Sequence, residues 1–147
     1  QRVKRSSVIV DGETVGACEN GLMILLGVAA GDTEEDANLL AAKILKLRIF
    51  EDENGKMNRS VTDIGGQALV VSQFTLLANY AHGNRPDYLN SEKPDRANQL
   101  YEYFVSLMRE GLSHVGTGIF GADMEVTIVN DGPVTIVMDS EVLKKKH

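Results

Sequence analysis

The chain of 147 residues has few of the side chains from which metal sites and most hydrolase sites are built. It contains no tryptophan, one cysteine, Cys18, and three scattered histidines, His82, His114 and His147. A single cysteine excludes an intrachain disulfide and a zinc site with several thiolates, and the histidine spacing matches no metal-binding motif. We therefore expect no metal and no other cofactor.

Long hydrophobic runs and an excess of basic charge are also missing. The longest apolar run, residues 22–26, is as long as a strand, whereas a membrane span needs about 18 apolar residues. The net charge is −6, opposite in sign to the broad basic surface that grips long stretches of phosphate backbone. Any contact with nucleic acid should therefore be local. Because no charged segment followed by an apolar run opens the chain, we also expect a soluble cytoplasmic protein.

Strand and turn signals predict a mixed α/β fold with many strands and two main helices. Asp11-Gly12 predicts a hairpin turn, and the nearly continuous apolar segment 22–28 predicts a central strand. Further strands are predicted over residues 3–10, 13–17, 48–50, 68–76, 124–129 and 134–138. These elements indicate a single domain over residues 1–140, followed by a short basic tail over 141–147 that is expected to be disordered.

Capping residues and helical periodicity predict the two helices. The first is capped by Asp32 or Thr33 and runs to about Leu47. The second begins at Pro94 and stops at Gly111. Between the strand 68–76 and the second helix lies a loop of unusual length, and such loops often border functional sites.

Two short segments carry the candidate chemistry, although each is ordinary by itself. Ser72 and Thr75 stand at the end of a predicted strand, but a hydroxyl nucleophile needs a base, and no motif supplies one. Taken alone, the two hydroxyls favour local hydrogen bonding to the backbone. Gly132-Pro133, taken alone, favours a tight turn between two strands.

The same segments occur together with several others in a recognisable order. These are Gln1-Arg2-Val3, Gly31-Asp32-Thr33, Gly55-Lys56-Met57-Asn58, Val70-Val71-Ser72-Gln73-Phe74-Thr75-Leu76, Arg85-Pro86, Phe120-Gly121-Ala122-Asp123-Met124 and Val129-Asn130-Asp131-Gly132-Pro133-Val134-Thr135. With them, the chain from residue 1 to about 140 resembles the D-aminoacyl-tRNA deacylases, also called D-tyrosyl-tRNA(Tyr) deacylases. Asp87, Tyr88 and Ile119 depart from the common pattern of that family.

The resemblance implies a homodimer of the D-tyrosyl-tRNA deacylase-like fold, with each active site at the subunit interface. Ser72 and Gln73 are implied to shape the pocket and bind substrate, and the backbone N–H groups of Phe74 and Thr75 to polarise the ester carbonyl. Catalysis is implied to rely on the 2′-hydroxyl of the terminal adenosine of the tRNA. A covalent role for Thr75 is the alternative.

The resemblance assigns the other side of the pocket to Gly132 and Pro133 of the partner, joined by a cis peptide bond. Their carbonyl groups are implied to hold the α-amino group of a D-amino acid and to exclude the L-enantiomer. Arg2 is the candidate for holding this segment in place, the alternative being an ordinary surface strand residue. Because glycine is not chiral, glycyl-tRNA mischarged on tRNA(Ala) is an expected second substrate.

The implied activity is that of a carboxylic ester hydrolase that proofreads for translation. It cleaves the ester at the 3′-terminal adenosine of D-aminoacyl-tRNA and releases the D-amino acid and tRNA. One alternative is the proofreading domain attached to some archaeal threonyl-tRNA synthetases. Another is a catalytically silent dimer of the same fold that binds nucleic acid or acts as a scaffold, which the acidic composition disfavours.

Overall fold

The computed structural model, which describes residues 1–144, contains a six-stranded sheet with strands from both halves of the chain and a separate two-stranded sheet. The strands are β1 (Arg2–Val10), β2 (Glu13–Cys18), β3 (Gly21–Leu26), β4 (Phe50–Glu51), β5 (Met57–Arg59), β6 (Gln67–Ser72), β7 (Val115–Thr117) and β8 (Glu125–Asn130). The two-stranded sheet is formed by β4 and β5. The helices are α1 (Glu34–Lys46), α2 (Pro94–Gly111) and α3 (Ser140–Lys144), and a 3₁₀ helix covers Phe74–Leu77. The mixed α/β class predicted from the sequence is confirmed.

The antiparallel part of the sheet is built around β1. One edge of β1 pairs with β2 and, at its start, with β3, while the other edge pairs with β8. Asp11 and Gly12 adopt φ values of 50° and 80°, as the two-residue turn between β1 and β2 requires. The predicted hairpin is therefore confirmed.

The parallel part of the sheet consists of β3, β6 and β7. β3 lies between β1 and β6, and the parallel pairing of β3 with β6 joins Gly21 to Gln67 at one end and Leu26 to Ser72 at the other. β7 then pairs with the outer edge of β6. This confirms the predicted central strand, which is apolar because both of its faces are covered.

The two long helices lie against the sheet and against each other. Thr33 is the N-cap of α1: its N–H donates to Asp36 Oδ2 at 2.8 Å. Helix α2 buries Phe104 completely, and the Tyr101 hydroxyl donates to the Val70 carbonyl of β6 at 2.8 Å. Among residues 1–144, no helix is long and apolar enough to cross a membrane.

Gly111 ends α2 in a different way from the predicted one. It is the last helical residue, and its φ is not positive. It therefore does not end the helix by adopting the left-handed conformation. A Cβ at this position would lie 2.6 Å from Leu45 Cδ1. The glycine therefore allows the end of α2 to approach α1.

Two predicted strands differ from the structure. The strand predicted to reach residue 76 ends at Ser72, and the following residues turn into the 3₁₀ helix because the neighbouring strand β3 also ends there, at Leu26. Residues 134–138 form no strand. The N–H of Arg2 donates to the Val134 carbonyl at 3.0 Å, so the chain crosses the start of β1 and does not return along β8.

The C-terminal residues fold back onto α1. Ser140 Oγ and Lys144 Nζ contact the same carboxylate oxygen, Asp36 Oδ1, at 2.7 and 2.8 Å. The predicted disordered tail is therefore helical as far as Lys144, while residues 145–147 lie outside the described part of the chain. The division between domain and tail at residue 140 stays a prediction.

Candidate active site

The site predicted around Ser72 lies where three parallel strands end. Leu26 pairs with Ser72 in neighbouring strands, and β7 ends at Thr117, beside β6. In α/β sheets with parallel strands, ligands bind at the carboxyl ends of the strands because the loops that follow them converge there. The segments beginning at residues 27, 73 and 118 consequently share one edge of the sheet.

The 3₁₀ helix after β6 exposes two backbone donors. The N–H of Gln73 is bonded to the Leu26 carbonyl at 2.8 Å, and the N–H of Leu76 to the Gln73 carbonyl at 3.2 Å. Between them, the N–H groups of Phe74 and Thr75 have no hydrogen-bond acceptor within residues 1–144. Unsatisfied N–H groups at the start of a helix form a site for a developing negative charge.

No general base accompanies the two hydroxyl groups. The Gln73 side-chain amide donates to Thr75 Oγ1, and in the described chain no carboxylate or imidazole is bonded to Ser72 or Thr75. The imidazole of His114 contacts the Ala17 carbonyl at 2.7 Å, away from this edge. Residues 1–144 also contain no cluster of three or more His, Cys, Asp or Glu side chains that could hold a metal ion.

An aromatic pair joins the 3₁₀ helix to the long loop. The rings of Phe74 and Tyr88 meet edge to face, with centroids 5.0 Å apart. Half of the Phe74 side chain remains exposed. Tyr88 was not among the site residues predicted from the sequence, and the only signal for it was an aromatic residue in a long loop beside a predicted site.

Gly132-Pro133 is held by a buried arginine. The Arg2 side chain is 7% exposed; its Nε donates to the Asp131 carbonyl at 3.0 Å and its Nη1 to the Ile49 carbonyl at 2.8 Å. The backbones are also joined, because Asp131 N–H donates to the Arg2 carbonyl at 2.9 Å. The Gly132-Pro133 peptide bond is cis, and Gly132 has a φ of 129°.

The two predicted halves of the site do not come together within one chain. Arg2, which contacts the Gly132 segment, pairs with Leu22 near the start of β3, whereas Ser72 pairs with Leu26 at its end. Four residues of strand separate those positions by about 13 Å. In one protomer, therefore, Ser72, Gln73, Phe74 and Thr75 lie at one edge of the sheet, and Gly132 and Pro133 lie at the other.

The pKa values of two acidic groups that follow β3 are shifted in opposite directions. Burial raises the pKa of Asp32, whose carboxylate accepts from the Ala29 N–H. Burial also acts against the charge of Asp36, but hydrogen bonds from Lys144, Thr33 and Ser140 outweigh it and lower its pKa to about 2. The ionised Asp36 carboxylate thus anchors α3, and it belongs to the framework around the site.

Comparison with known proteins identifies relatives over nearly the whole chain. A relative from Sulfurihydrogenibium sp. is 57% identical over 143 residues, 97% of each chain, and one from Aquifex aeolicus is 58% identical over 140 residues, 95% of each chain. A relative from Thermus aquaticus is 54% identical over 140 residues, 95% of this chain and 92% of its own. All three are named D-aminoacyl-tRNA deacylase.

Solved structures show the same fold. The c-Myc DNA unwinding element binding protein is 42% identical, with a TM-score of 0.87 over 92% of this chain and 93% of its own. A protein described as a probable eukaryotic D-amino acid tRNA deacylase shares the fold at 17% identity, with a TM-score of 0.78 over 90% of this chain and 92% of its own. The profile of the D-Tyr-tRNA(Tyr) deacylases matches residues 1–139. The chain therefore belongs to the D-Tyr-tRNA(Tyr) deacylase family.

Proposed function

We propose that this protein is a proofreading esterase that cleaves D-aminoacyl-tRNA to a free D-amino acid and tRNA. The observation that carries the proposal is the pair of free backbone donors at Phe74 and Thr75, which no general base accompanies. Such a site can polarise an ester carbonyl but offers no activated nucleophile of its own. Aminoacyl esters of tRNA suit it because they are already activated and carry a neighbouring 2′-hydroxyl.

The two donors stabilise the oxyanion that forms when the ester carbonyl is attacked. One donor of this kind contributes roughly 10² to 10³ in rate, because it is already oriented toward the developing charge. In the proposed mechanism the 2′-hydroxyl of the terminal adenosine assists the attack of a water molecule on the ester carbonyl; the bond to the 3′-oxygen then breaks, and that oxygen takes up the proton lost by the water. Ser72 and Gln73 shape the pocket, and Gln73 fixes the Thr75 hydroxyl by donating to it.

The second half of each pocket comes from another copy of the chain. The separation of about 13 Å along β3 keeps Gly132 and Pro133 away from the donors of their own protomer. Residues that follow Pro133 also expose apolar side chains: Val137 is 94% exposed and Ile136 47%. A symmetric dimer would cover such side chains and complete two equivalent pockets.

Chiral selection in this arrangement depends on fixed acceptors. The carbonyl groups of Gly132 and Pro133 accept hydrogen bonds from the substrate's α-ammonium group, and Arg2 holds the segment by donating to the Asp131 carbonyl before it and the Val134 carbonyl after it. An L-amino acid that presents its ester to Phe74 and Thr75 directs its ammonium group away from these carbonyls. Glycine satisfies both requirements, so glycyl-tRNA mischarged on tRNA(Ala) is a second substrate of the proposed enzyme.

The proposed activity is tested by incubating the protein with D-tyrosyl-tRNA and L-tyrosyl-tRNA and following the release of each amino acid. We expect rapid release of D-tyrosine and little release of L-tyrosine. Equal rates, or no hydrolysis of either ester, would contradict the proposal. We also propose that the protein acts in the cytoplasm, where cell fractionation should find it together with the tRNA.

A silent nucleic-acid-binding protein is the second candidate function. It is favoured by the likeness to the c-Myc DNA unwinding element binding protein, at 42% identity. Against it stands the net charge of −6, which weakens contact with long duplexes. Tight binding of duplex DNA at physiological salt by a protein without deacylase activity would favour this candidate.

A further inference from the structure

The long loop beside the proposed site is firmly held at its base. Residues 79–93 connect the 3₁₀ helix with α2, and Asn79 and Asp87 exchange two backbone hydrogen bonds of 2.8 and 2.9 Å. The returning part follows the end of β3, where Ala30 N–H donates to the Asn90 carbonyl at 2.9 Å. The loop therefore presents the residues beyond the Asn79–Asp87 pair, 80–86, in a defined place.

These seven residues, which we name the tip loop, are all exposed and differ in charge from the rest of the chain. Tyr80 is 82% exposed, and its ring stacks on no other ring in the described part of the chain. His82 and Arg85 form no ion pair within residues 1–144. The tip loop contains no acidic residue, although the chain contains 21.

The first two acidic residues that follow the tip loop in the sequence accept hydrogen bonds from backbone N–H groups. Asp87 Oδ1 accepts from the Leu89 N–H at 3.2 Å. Glu92 accepts from the N–H groups of Lys93 and Gly31 at 2.9 and 3.0 Å, and these bonds lower its pKa. The two carboxylates thus shape the base of the loop, while Arg85 of the tip loop forms no ion pair within residues 1–144.

We propose that the tip loop binds the unpaired 3′ strand of the tRNA acceptor end, an assignment that rests on the proposed function. Tyr80 stacks on a base, and Arg85 contacts a backbone phosphate. Exposed aromatic rings together with cations are the chemistry by which proteins bind single-stranded RNA, and they need no broad basic surface. The location fits, because the base of the loop contacts Phe74, whose N–H faces the ester in the proposed mechanism.

The test compares a long substrate with a short one. D-Tyrosyl-tRNA carries the whole 3′ strand, whereas D-tyrosyl-adenosine ends at the nucleoside that bears the ester. The measured quantity is the ratio of kcat/KM for the tRNA to kcat/KM for the adenosine ester. We expect Tyr80→Ala to lower this ratio about tenfold, mainly through a higher KM for the tRNA. Tyr80→Phe should restore the ratio because it keeps the stacking ring. Arg85→Ala should lower the ratio and reduce its salt dependence.

A charge-matched control and a binding assay complete the design. Lys46 lies exposed at the end of α1, so Lys46→Ala should leave the ratio unchanged. Fluorescence anisotropy of an acceptor-stem minihelix that carries no amino acid measures binding without hydrolysis. Tyr80→Ala should weaken that binding about tenfold. Equal minihelix binding by wild type and Tyr80→Ala would overturn the proposal and leave a protein partner for this surface. Loss of hydrolysis in every assay would reject the deacylase function, and anisotropy would still decide about the tip loop.

Discussion

The two segments assigned to the active site are fixed by opposite means. The segment at Phe74 and Thr75 follows the end of a strand, and its backbone leaves two donors free. The segment at Gly132 is bonded on both sides by Arg2, whose buried side chain donates to the Asp131 carbonyl and whose backbone N–H donates to the Val134 carbonyl. In the proposed mechanism, one region thus offers N–H groups to a substrate carbonyl, and the other offers carbonyl groups to a substrate ammonium.

Under the proposed function, one chain contains both regions but no complete site. Their positions along β3 differ by about 13 Å, so we propose that a substrate held by both lies between two copies of the chain. Each region can then be altered while the other stays intact. Chemistry and chiral selection should consequently respond to different substitutions.

The largest effect is expected from altering the acceptor side. The φ of 129° at Gly132 is one that residues with a side chain rarely adopt, so the double substitution Gly132→Ala and Pro133→Ala should displace both carbonyl groups. We expect the deacylation rate with D-tyrosyl-tRNA to fall about 10³-fold because the ammonium group loses its acceptors. Size-exclusion chromatography should still show a dimer. Retained D-specific turnover would contradict the assigned role.

The region at Phe74 and Thr75 is tested by distinguishing the role of the Thr75 backbone N–H from that of its hydroxyl group. Thr75→Val keeps the N–H and removes the hydroxyl, and it should change kcat less than tenfold. A tRNA that ends in 2′-deoxyadenosine, esterified at its 3′-oxygen, should be hydrolysed about 10²-fold more slowly. The opposite pattern would indicate a covalent threonine. Single-turnover kinetics with both substrates measures the two effects directly.

Weakening the contacts of Arg2 with the Gly132 segment should have a smaller effect than altering the carbonyl groups of Gly132 and Pro133. In Arg2→Lys one ammonium group cannot reproduce the bonds to both the Asp131 and Ile49 carbonyls. The free energy of unfolding should fall by about 2 kcal/mol. The ratio of D- to L-tyrosyl-tRNA hydrolysis should fall about tenfold.

A matched substitution on the same strand serves as the control. Arg5 is exposed on β1, and Arg5→Lys should change neither stability nor the enantiomer ratio. Urea unfolding and the two-substrate assay measure both quantities. An Arg2→Lys variant that behaves like Arg5→Lys would show that the arginine does not hold the segment.

The smallest effect on catalysis is expected outside both regions, at the anchor of α3. Hydrogen bonds from Lys144, Thr33 and Ser140 overcome burial and lower the pKa of Asp36 from 3.8 to about 2. The native state therefore gains stability from the ionised carboxylate above about pH 4, and it loses about 2 kcal/mol as the pH falls toward 2. Asp36→Asn should remove this pH dependence and leave the ratio of D to L hydrolysis unchanged. Urea unfolding at pH 2 to 6 measures the difference.

Local signals were sufficient to predict the elements that frame the site. Asp11-Gly12 specifies a turn, and Thr33 with Asp36 specifies a helix start, because the interacting groups are close in sequence. The apolar run of β3 likewise indicated a strand covered on both faces.

The parts that the residues alone did not predict depend on distant contacts. Arg2 lies in a strand that alternates only in part, and its buried side chain donates to the carbonyl of Asp131, 129 positions away. Ser72 ends β6 because β3 ends beside it, which local propensity cannot indicate. The family resemblance supplied the roles of these residues, and the structure adds the contacts that support them.

The most direct test of the composite site is a subunit-mixing experiment. One variant carries Gly132→Ala and Pro133→Ala, and the other carries Thr75→Pro, which removes a backbone donor; each should be inactive alone. Random mixing makes half of the dimers mixed, and each mixed dimer contains one intact site, so about one quarter of wild-type activity should return. No recovery in mixed dimers, isolated through two different affinity tags, would contradict a pocket formed by two copies of the chain.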